Sequence, residues 1–270
     1  MKNLFSLKQE FAVVTGALGK LGPIWIETLL EAGAKVFALD HPEAKISQGY
    51  KSLQGRFDKQ HLQLAFADVT VREEVEAVYQ KCLDVFGVPS ILVNNAGIDQ
   101  PPGQPDNACC LEDIPLELNL KVFEVNALGL FLVTQVFGGQ MVKAGRGSII
   151  NIGSLYASVA PDSRLYDHIE CDPPFLKPPA YGASKAAAVN LTRYLATLWA
   201  SCGVRVNALS PGGVSGDQDP DFRRKFCERV PLGRMAEASD LSGPLLFLAS
   251  SASSYVTGIE LVVDGGFTAW

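Results

Sequence analysis

The sequence predicts an α/β protein: a seven-stranded parallel sheet flanked by helices, folded as a single domain over residues 1–270. Three observations predict it. Short β-branched and apolar runs alternate with longer stretches of helical period, the pattern of successive βαβ units. A glycine-rich turn stands between the first strand and the first helix. No long polar linker and no internal repeat divides the chain.

The elements follow in order. Phe11–Thr15 reads as the first strand, and the helix after the turn places Trp25, Ile26, Leu29 and Leu30 on one face. Gly33 ends that helix, as a C-terminal glycine often does, and Lys35–Asp40 is the second strand. Further strands are expected at Leu62–Ala67, Ile91–Asn94, Ser148–Ile152, Arg205–Leu209 and Ile259–Val263. Two irregular segments interrupt the alternation, Asp99–Pro115 and Ala157–Pro179, the second with five prolines. Long loops in a compact domain are usually lids or binding loops.

Composition narrows the function classes. Hydrophobic residues at 47%, charged residues at 19% and a mean hydropathy of +0.14 suit a compact soluble chain. A net charge of -6 argues against nucleic acid as the main partner, because such binding needs a basic face. The apolar stretches read as too short and interrupted to span a membrane, and the N-terminal apolar run as too short for a signal peptide, so a cytoplasmic protein is expected. The six cysteines form no CxxC pair, and the three histidines share no HxxxH or HExxH spacing, so no metal is predicted.

Gly16, Gly19 and Gly22 lie in the strand-to-helix turn that also holds Leu21, the context in which a glycine-rich string carries weight. Glycine lets the backbone approach a pyrophosphate, whose charge the helix N-terminus then meets. Asp40 ends the second strand about 20 residues on, where its carboxylate can accept hydrogen bonds from adenosine ribose hydroxyls. This is the arrangement of a doubly wound, Rossmann-type dinucleotide site. A carboxylate there repels a 2′-phosphate, so NAD is preferred over NADP, although His41 and Lys20 pull the other way.

Tyr181 and Lys185 stand at i and i+4 on one helical face. A phenol titrating near ~10 is a poor base at neutrality, but a neighbouring ammonium and an oxidised nicotinamide both favour its phenolate. Proton removal from an alcohol then accompanies loss of hydride.

The glycine-rich turn, Asn94-Asn95-Ala96-Gly97 after a strand, Ser154 after a strand and the Tyr181/Lys185 pair occur in the order of the short-chain dehydrogenase/reductase family, which the chain resembles from about Phe11 to Gly266. Asp68-Val69, Val125-Asn126, Arg205-Val206-Asn207, Pro211-Gly212-Gly213-Val214 and Val263-Asp264-Gly265-Gly266 extend the likeness. The resemblance implies that Ser154 hydrogen-bonds the reacting oxygen, Tyr181 transfers its proton, and Lys185 binds the nicotinamide ribose and lowers the tyrosine pKa. It implies that Asn126 holds a water linking Lys185 to solvent. Asp68 and Val69 would contact adenine, Asn95, Ala96 and Gly97 would line the cofactor, and Pro211, Gly212, Gly213 and Val214 would flank the nicotinamide.

Two features depart from the single-domain branch of that family. The glycines follow TGxxGxxG, the spacing of the extended branch that includes sugar-nucleotide epimerases and dehydratases. Ser154 and Tyr181 are also further apart than usual, the excess being the proline-rich insertion of residues 157–179. That insertion is similar to members encoded with bacterial surface-sugar and flagellin-modification pathways. It is expected to cap the substrate with Arg164, Tyr166, Asp167, His168 or Glu170, or else to pack on its own surface or a neighbouring subunit.

The resemblance therefore implies hydride transfer between NAD(H) and a secondary alcohol or ketone, a polyol or sugar foremost. The alternatives are an epimerase or dehydratase that retains its NAD, and a non-catalytic NAD-binding regulator. Val122–Val142 and Ala180–Cys202 are apolar on more than one face, and such helices are buried in a core or against another subunit. A homo-oligomer is expected, a tetramer before a dimer.

Overall fold

A computed structural model of the chain describes residues 3–99 and 110–270. Seven parallel strands form one sheet: β1 (Phe11–Thr15), β2 (Lys35–Asp40), β3 (Leu62–Phe66), β4 (Ile91–Asn94), β5 (Gly147–Ile152), β6 (Val204–Pro211) and β7 (Glu260–Val263), in the order β3-β2-β1-β4-β5-β6-β7. The strand order reverses between β1 and β4, and open α/β sheets bind ligands in the crevice at such a switch point. All seven expected strands are present, with ends shifted by one residue at Phe66, Gly147, Val204 and Glu260; β6 runs on to Pro211.

Alternate residues of the strands feed two cores, one on each face of the sheet. Val14, Val36 and Ile150 meet α1 (Gly22–Glu31) and α9 (Ala238–Ala249) through Trp25, Ile26, Leu29, Leu241 and Leu245. Val13, Leu92 and Ile149 meet α3 (Arg72–Phe86) and a long helix through Val75, Val78, Val133, Phe137 and Met141. Between β2 and β3 lies α2 (Gln48–Arg56), which buries Tyr50 and Leu53 in the first core. Each fully buried Leu or Ile contributes about 1.5–3 kcal/mol.

The long helix corrects the sequence reading. Segments α4 (Leu116–Phe123), α5 (Leu130–Val133) and α6 (Gly139–Ala144) run on as one helix over Leu116–Ala144, joined by π-turns at Glu124–Gly129 and Thr134–Gly138. At 29 residues it is long and apolar enough to cross a membrane, contrary to the expectation that no stretch approaches that length. Its inner face packs on the sheet through Val133, Phe137 and Met141, while Leu116, Leu120 and Leu128 stand exposed, so it is not buried all round. Residues 100–109 of the predicted Asp99–Pro115 loop lie outside the described residues, and Leu111–Asp113 forms a single 3-10 turn.

The insertion builds a third, smaller core. Between β5 and α7 (Pro179–Trp199), Leu165, Tyr166 and Phe175 pack with Phe226 of α8 (Pro220–Arg229), Val230, Met235 and Phe267. Phe226 stacks on Phe267 with centroids 4.9 Å apart. Ion pairs tie its rim to α8, Asp162 with Arg229 and Asp167 with Lys225, and His168 Nε2 lies 2.9 Å from Asp219 Oδ1 just before that helix. Phe226→Ala should lower stability by about 3–5 kcal/mol in urea unfolding, the cost of a large core cavity. Loss of less than ~1 kcal/mol would mean that the insertion stands without this anchor.

Candidate active site

The C-terminal ends of β1, β2, β4, β5 and β6 open into one cleft of about 970 Å³ that reaches from Asp40 at one end to Ser154, Tyr181 and Lys185 at the other. The turn after β1 forms its floor. Gly16 has φ +61°, and a Cβ there would come within 2.8 Å of Ala96 Cα, so the two loops touch backbone to backbone. A Cβ on Gly22 would fall 2.4 Å from the Ala17 carbonyl oxygen, so this glycine lets the helix start against the turn and does not itself line the cleft. Asn95 locks the two loops together. Its Nδ2 donates to the Thr15 and Gly16 carbonyls at 3.0 and 2.9 Å, and its Oδ1 accepts from the indole of Trp25 at 2.8 Å.

Asp40 accepts from Leu18 N at 2.6 Å and His41 N at 2.7 Å, which orients both carboxylate oxygens at the cleft edge. Asp68 stands next to it, holding Thr70 N and Oγ1 at 2.8 and 2.7 Å and lying 3.6 Å from His41 Nε2. Near this acidic corner His41 turns to Asp68, Lys20 Nζ donates to the Val214 carbonyl at 2.9 Å across the cleft, and Lys45 also lines the cleft. Gly19, Leu21, Val69, Ala96, Gly97, Pro211, Gly212 and Val214 also line the cleft. Gly213 does not, because the space its Cβ would take is filled by Phe226 and Met235.

Asn126 lies in the first π-turn, buried behind the cleft. Its amide pairs with both backbone groups of Ile98, accepting from N at 2.8 Å and donating to O at 3.0 Å, and also donates to Ser184 Oγ at 3.1 Å. Lys185 Nζ donates to the Ile152 carbonyl at 2.8 Å. A Cβ on Gly97 would sit 3.2 Å from Asn126 Oδ1 and 3.4 Å from Lys185 Nζ, so this glycine leaves room for the pair.

The electrostatics correct one expectation. Burial raises the Tyr181 phenol to about 12, the Asp99 charge adds to the rise, and a hydrogen bond with Ser154 opposes it. Lys185 Nζ lies 5.8 Å from the Tyr181 ring centroid and does not overcome the burial; its own pKa falls to about 8 because its ammonium is taken out of water. With protein groups alone, burial shifts both members of the pair towards the neutral form: the phenol stays protonated at neutral pH, whereas an ammonium at about 8 is still mostly charged there.

The insertion corrects another. Arg164 folds back on Asp162, Asp167 and His168 face α8, Tyr166 is buried in the third core with its hydroxyl 3.4 Å from that of Tyr156, and Glu170 is exposed; none of the five lines the cleft. The residue of this segment that reaches the chemistry is Lys177. Its Nζ lies 5.5 Å from the Tyr181 ring centroid and 5.8 Å from that of Tyr156, and donates to Asp99 Oδ2 at 2.8 Å. Neither Asp99 nor Lys177 carries a motif signal, and only the folded chain brings them together.

The donor set fits a dinucleotide: a close-packed glycine turn, a carboxylate at one end for ribose hydroxyls, and a buried lysine and tyrosine at the other. Among the described residues no group of three or more His, Cys, Asp or Glu could hold a metal ion.

Comparison with known proteins agrees with this geometry. Residues 22–268 match a family model described as enoyl-(acyl carrier protein) reductase. A galactitol 2-dehydrogenase (L-tagatose-forming) of Cereibacter sphaeroides is 34% identical, the match covering 100% of this chain and 99% of that protein. A short-chain dehydrogenase from Leptospira borgpetersenii with bound NAD+ superposes with a TM-score of 0.83 at 33% identity over 99% of this chain and 96% of its own. A gluconate 5-dehydrogenase from Burkholderia cenocepacia, in complex with NADP and tartrate, gives 0.83 at 30% identity over 99% and 98%.

The depressed Lys185 pKa has a consequence for stability. The unfolded lysine titrates near 10.5 and the folded one near 8, so between these values the unfolded chain binds more protons and stability rises with pH. The burial penalty is fully present below about 8 and is relieved as pH approaches 10.5. Lys185→Met should therefore gain most in thermal stability relative to the parent below pH 8, and that difference should shrink steadily towards pH 10.5 in matched melting curves. A difference independent of pH would mean that the lysine is not desolvated.

Proposed function

This chain belongs to the short-chain dehydrogenase/reductase family and is an oxidoreductase acting on secondary alcohols, and on that premise we propose that it is an NAD-dependent polyol or sugar dehydrogenase. The observation that carries the reading is the meeting of Ser154, Tyr181 and Lys185 at the far end of the cleft that begins at Asp40. The bound nicotinamide supplies the hydride acceptor for the carbinol C–H. Ser154 Oγ hydrogen-bonds the substrate oxygen, and Tyr181 Oη takes the hydroxyl proton in oxidation and returns it in reduction. Lys185 holds the nicotinamide ribose and its charge favours the phenolate. Asn126, fixed by Ile98 and Ser184, orders the path from Lys185 to solvent.

A phenol lifted to about 12 needs positive charge beside it to ionise near neutrality, which couples proton transfer to cofactor occupancy. Asp40, with Asp68 behind it, supports NAD over NADP, since its carboxylate accepts ribose hydroxyls and repels a 2′-phosphate. Galactitol dehydrogenase similarity supports a polyol or sugar substrate. The likeness to surface-sugar and flagellin-modification members rests on the insertion alone.

We read the chain as one domain that assembles into a homo-oligomer, a tetramer before a dimer. Leu116, Leu120 and Leu128 on the long helix, with Tyr194 and Leu198 on α7, are exposed apolar side chains that a partner subunit would cover.

Tyr181→Phe should lower kcat for NAD-linked polyol oxidation by about 10²–10⁴-fold, the range of general acid–base catalysis, with NAD affinity by fluorescence titration nearly unchanged. Near-normal turnover would refute the proposed role. Asp40→Ser should raise the NADP-to-NAD ratio of kcat/KM by about 10–100-fold, one to two charge-assisted hydrogen bonds' worth. An unchanged ratio would remove Asp40 as the selector.

A further inference from the structure

We propose that Asp99, held in place by Lys177, anchors a hydroxyl of the substrate and makes the enzyme select neutral polyols over sugar acids. The inference rests on the reading of the chain as an alcohol dehydrogenase and goes on to name the substrate's charge class.

Asp99 follows the Asn95-Ala96-Gly97-Ile98 turn and lines the cleft beside Ser154 and Tyr181. Lys177 arrives from the insertion, 78 positions later in the chain, and its ammonium bridges both carboxylate oxygens at 3.1 and 2.8 Å. The two partners differ in access. The Lys177 side chain is 6% exposed and that of Asp99 is 37% exposed. The cation also faces the rings of Tyr156 and Tyr181, whose faces attract it. Lys177 is thus committed to its carboxylate and to two aromatic rings, whereas the carboxylate keeps lone pairs open to the cleft.

Such a group is an acceptor presented in a fixed position, suited to the O–H donors of a polyol and unfavourable to a second carboxylate. Its charge also reaches the reacting groups, pushing Tyr181 further above its ordinary value and offsetting part of the burial that lowers Lys185. A substrate hydroxyl bound to Asp99 lies next to the proton acceptor, so anchoring and chemistry share one corner of the cleft. Elsewhere on the rim, Lys121 and Glu124 are exposed and of opposite sign.

The experiment is steady-state kinetics with NAD on neutral polyols (galactitol, glucitol, glycerol) and on sugar acids (galactonate, gluconate), for the parent, Asp99→Asn, Lys177→Met and Lys177→Arg. The parent should favour the polyols in kcat/KM. Asp99→Asn should raise KM for the preferred polyol by about 10–100-fold, more than it lowers kcat, and narrow the polyol-to-acid ratio, as expected for loss of a charge-assisted hydrogen bond. Lys177→Met, which leaves the carboxylate charged but unplaced, should raise the polyol KM without narrowing the ratio, and Lys177→Arg, which restores a cation, should bring KM back. A parent that prefers sugar acids, or a ratio untouched by Asp99→Asn while polyols are still oxidised, overturns the anchor alone. A parent that oxidises neither series overturns the dehydrogenase reading and the anchor with it.

Discussion

A buried polar ladder sets the level at which the site is built. Asn94 on β4 donates to Asn151 on β5 and to Thr134 on the long helix, both at 2.8 Å, and Asn151 donates to Thr192 on α7 at 2.9 Å. All four side chains are buried, so leaving any one without its partner costs about 1–3 kcal/mol. A parallel sheet tolerates sliding of a helix along its face far better than a hydrogen-bond ladder does. Thr192 lies about two helical turns beyond Lys185. The ladder therefore fixes the height of α7 on β5, and with it the reach of Lys185 to the Ile152 carbonyl.

Once α7 is fixed, the electrostatic problem of the site is fixed too. The same packing that places Tyr181 and Lys185 side by side removes both from water, and both then resist ionising. Perturbed titration of this kind gathers at working sites because function, rather than stability, requires the groups there. Asp99 and Lys177 add a compensated pair at the edge of this dry region, one partner sealed and the other open.

The strands were legible because each is a short apolar run closed by turn residues, and the cofactor end because glycine spacing and Asp40 follow one another within a single βαβ unit. The Tyr181/Lys185 spacing was equally local. What sequence did not reveal was set by contacts between distant segments. The π-turn that carries Asn126 has the composition of ordinary helix, and the helix starts at Leu116, ahead of the apolar stretch read from Val122. Arg164, Asp167 and His168 looked like substrate ligands because nothing local shows their partners: Arg164 folds back on Asp162 within the insertion, and Asp167 and His168 reach Lys225 and Asp219 at α8. Lys177 looked like one charge among prolines until the fold set it against Asp99.

Trp25 joins the floor of the cleft to the protein interior through its bond to Asn95. It is fully buried, whereas Trp270 is exposed, and its indole is linked through the Asn95 amide to the Thr15 and Gly16 carbonyls beneath the glycine turn. The molecule thus carries a native optical probe at the base of its nucleotide bed, whose emission is tied to the turn by a hydrogen bond and insulated from bulk solvent by the core.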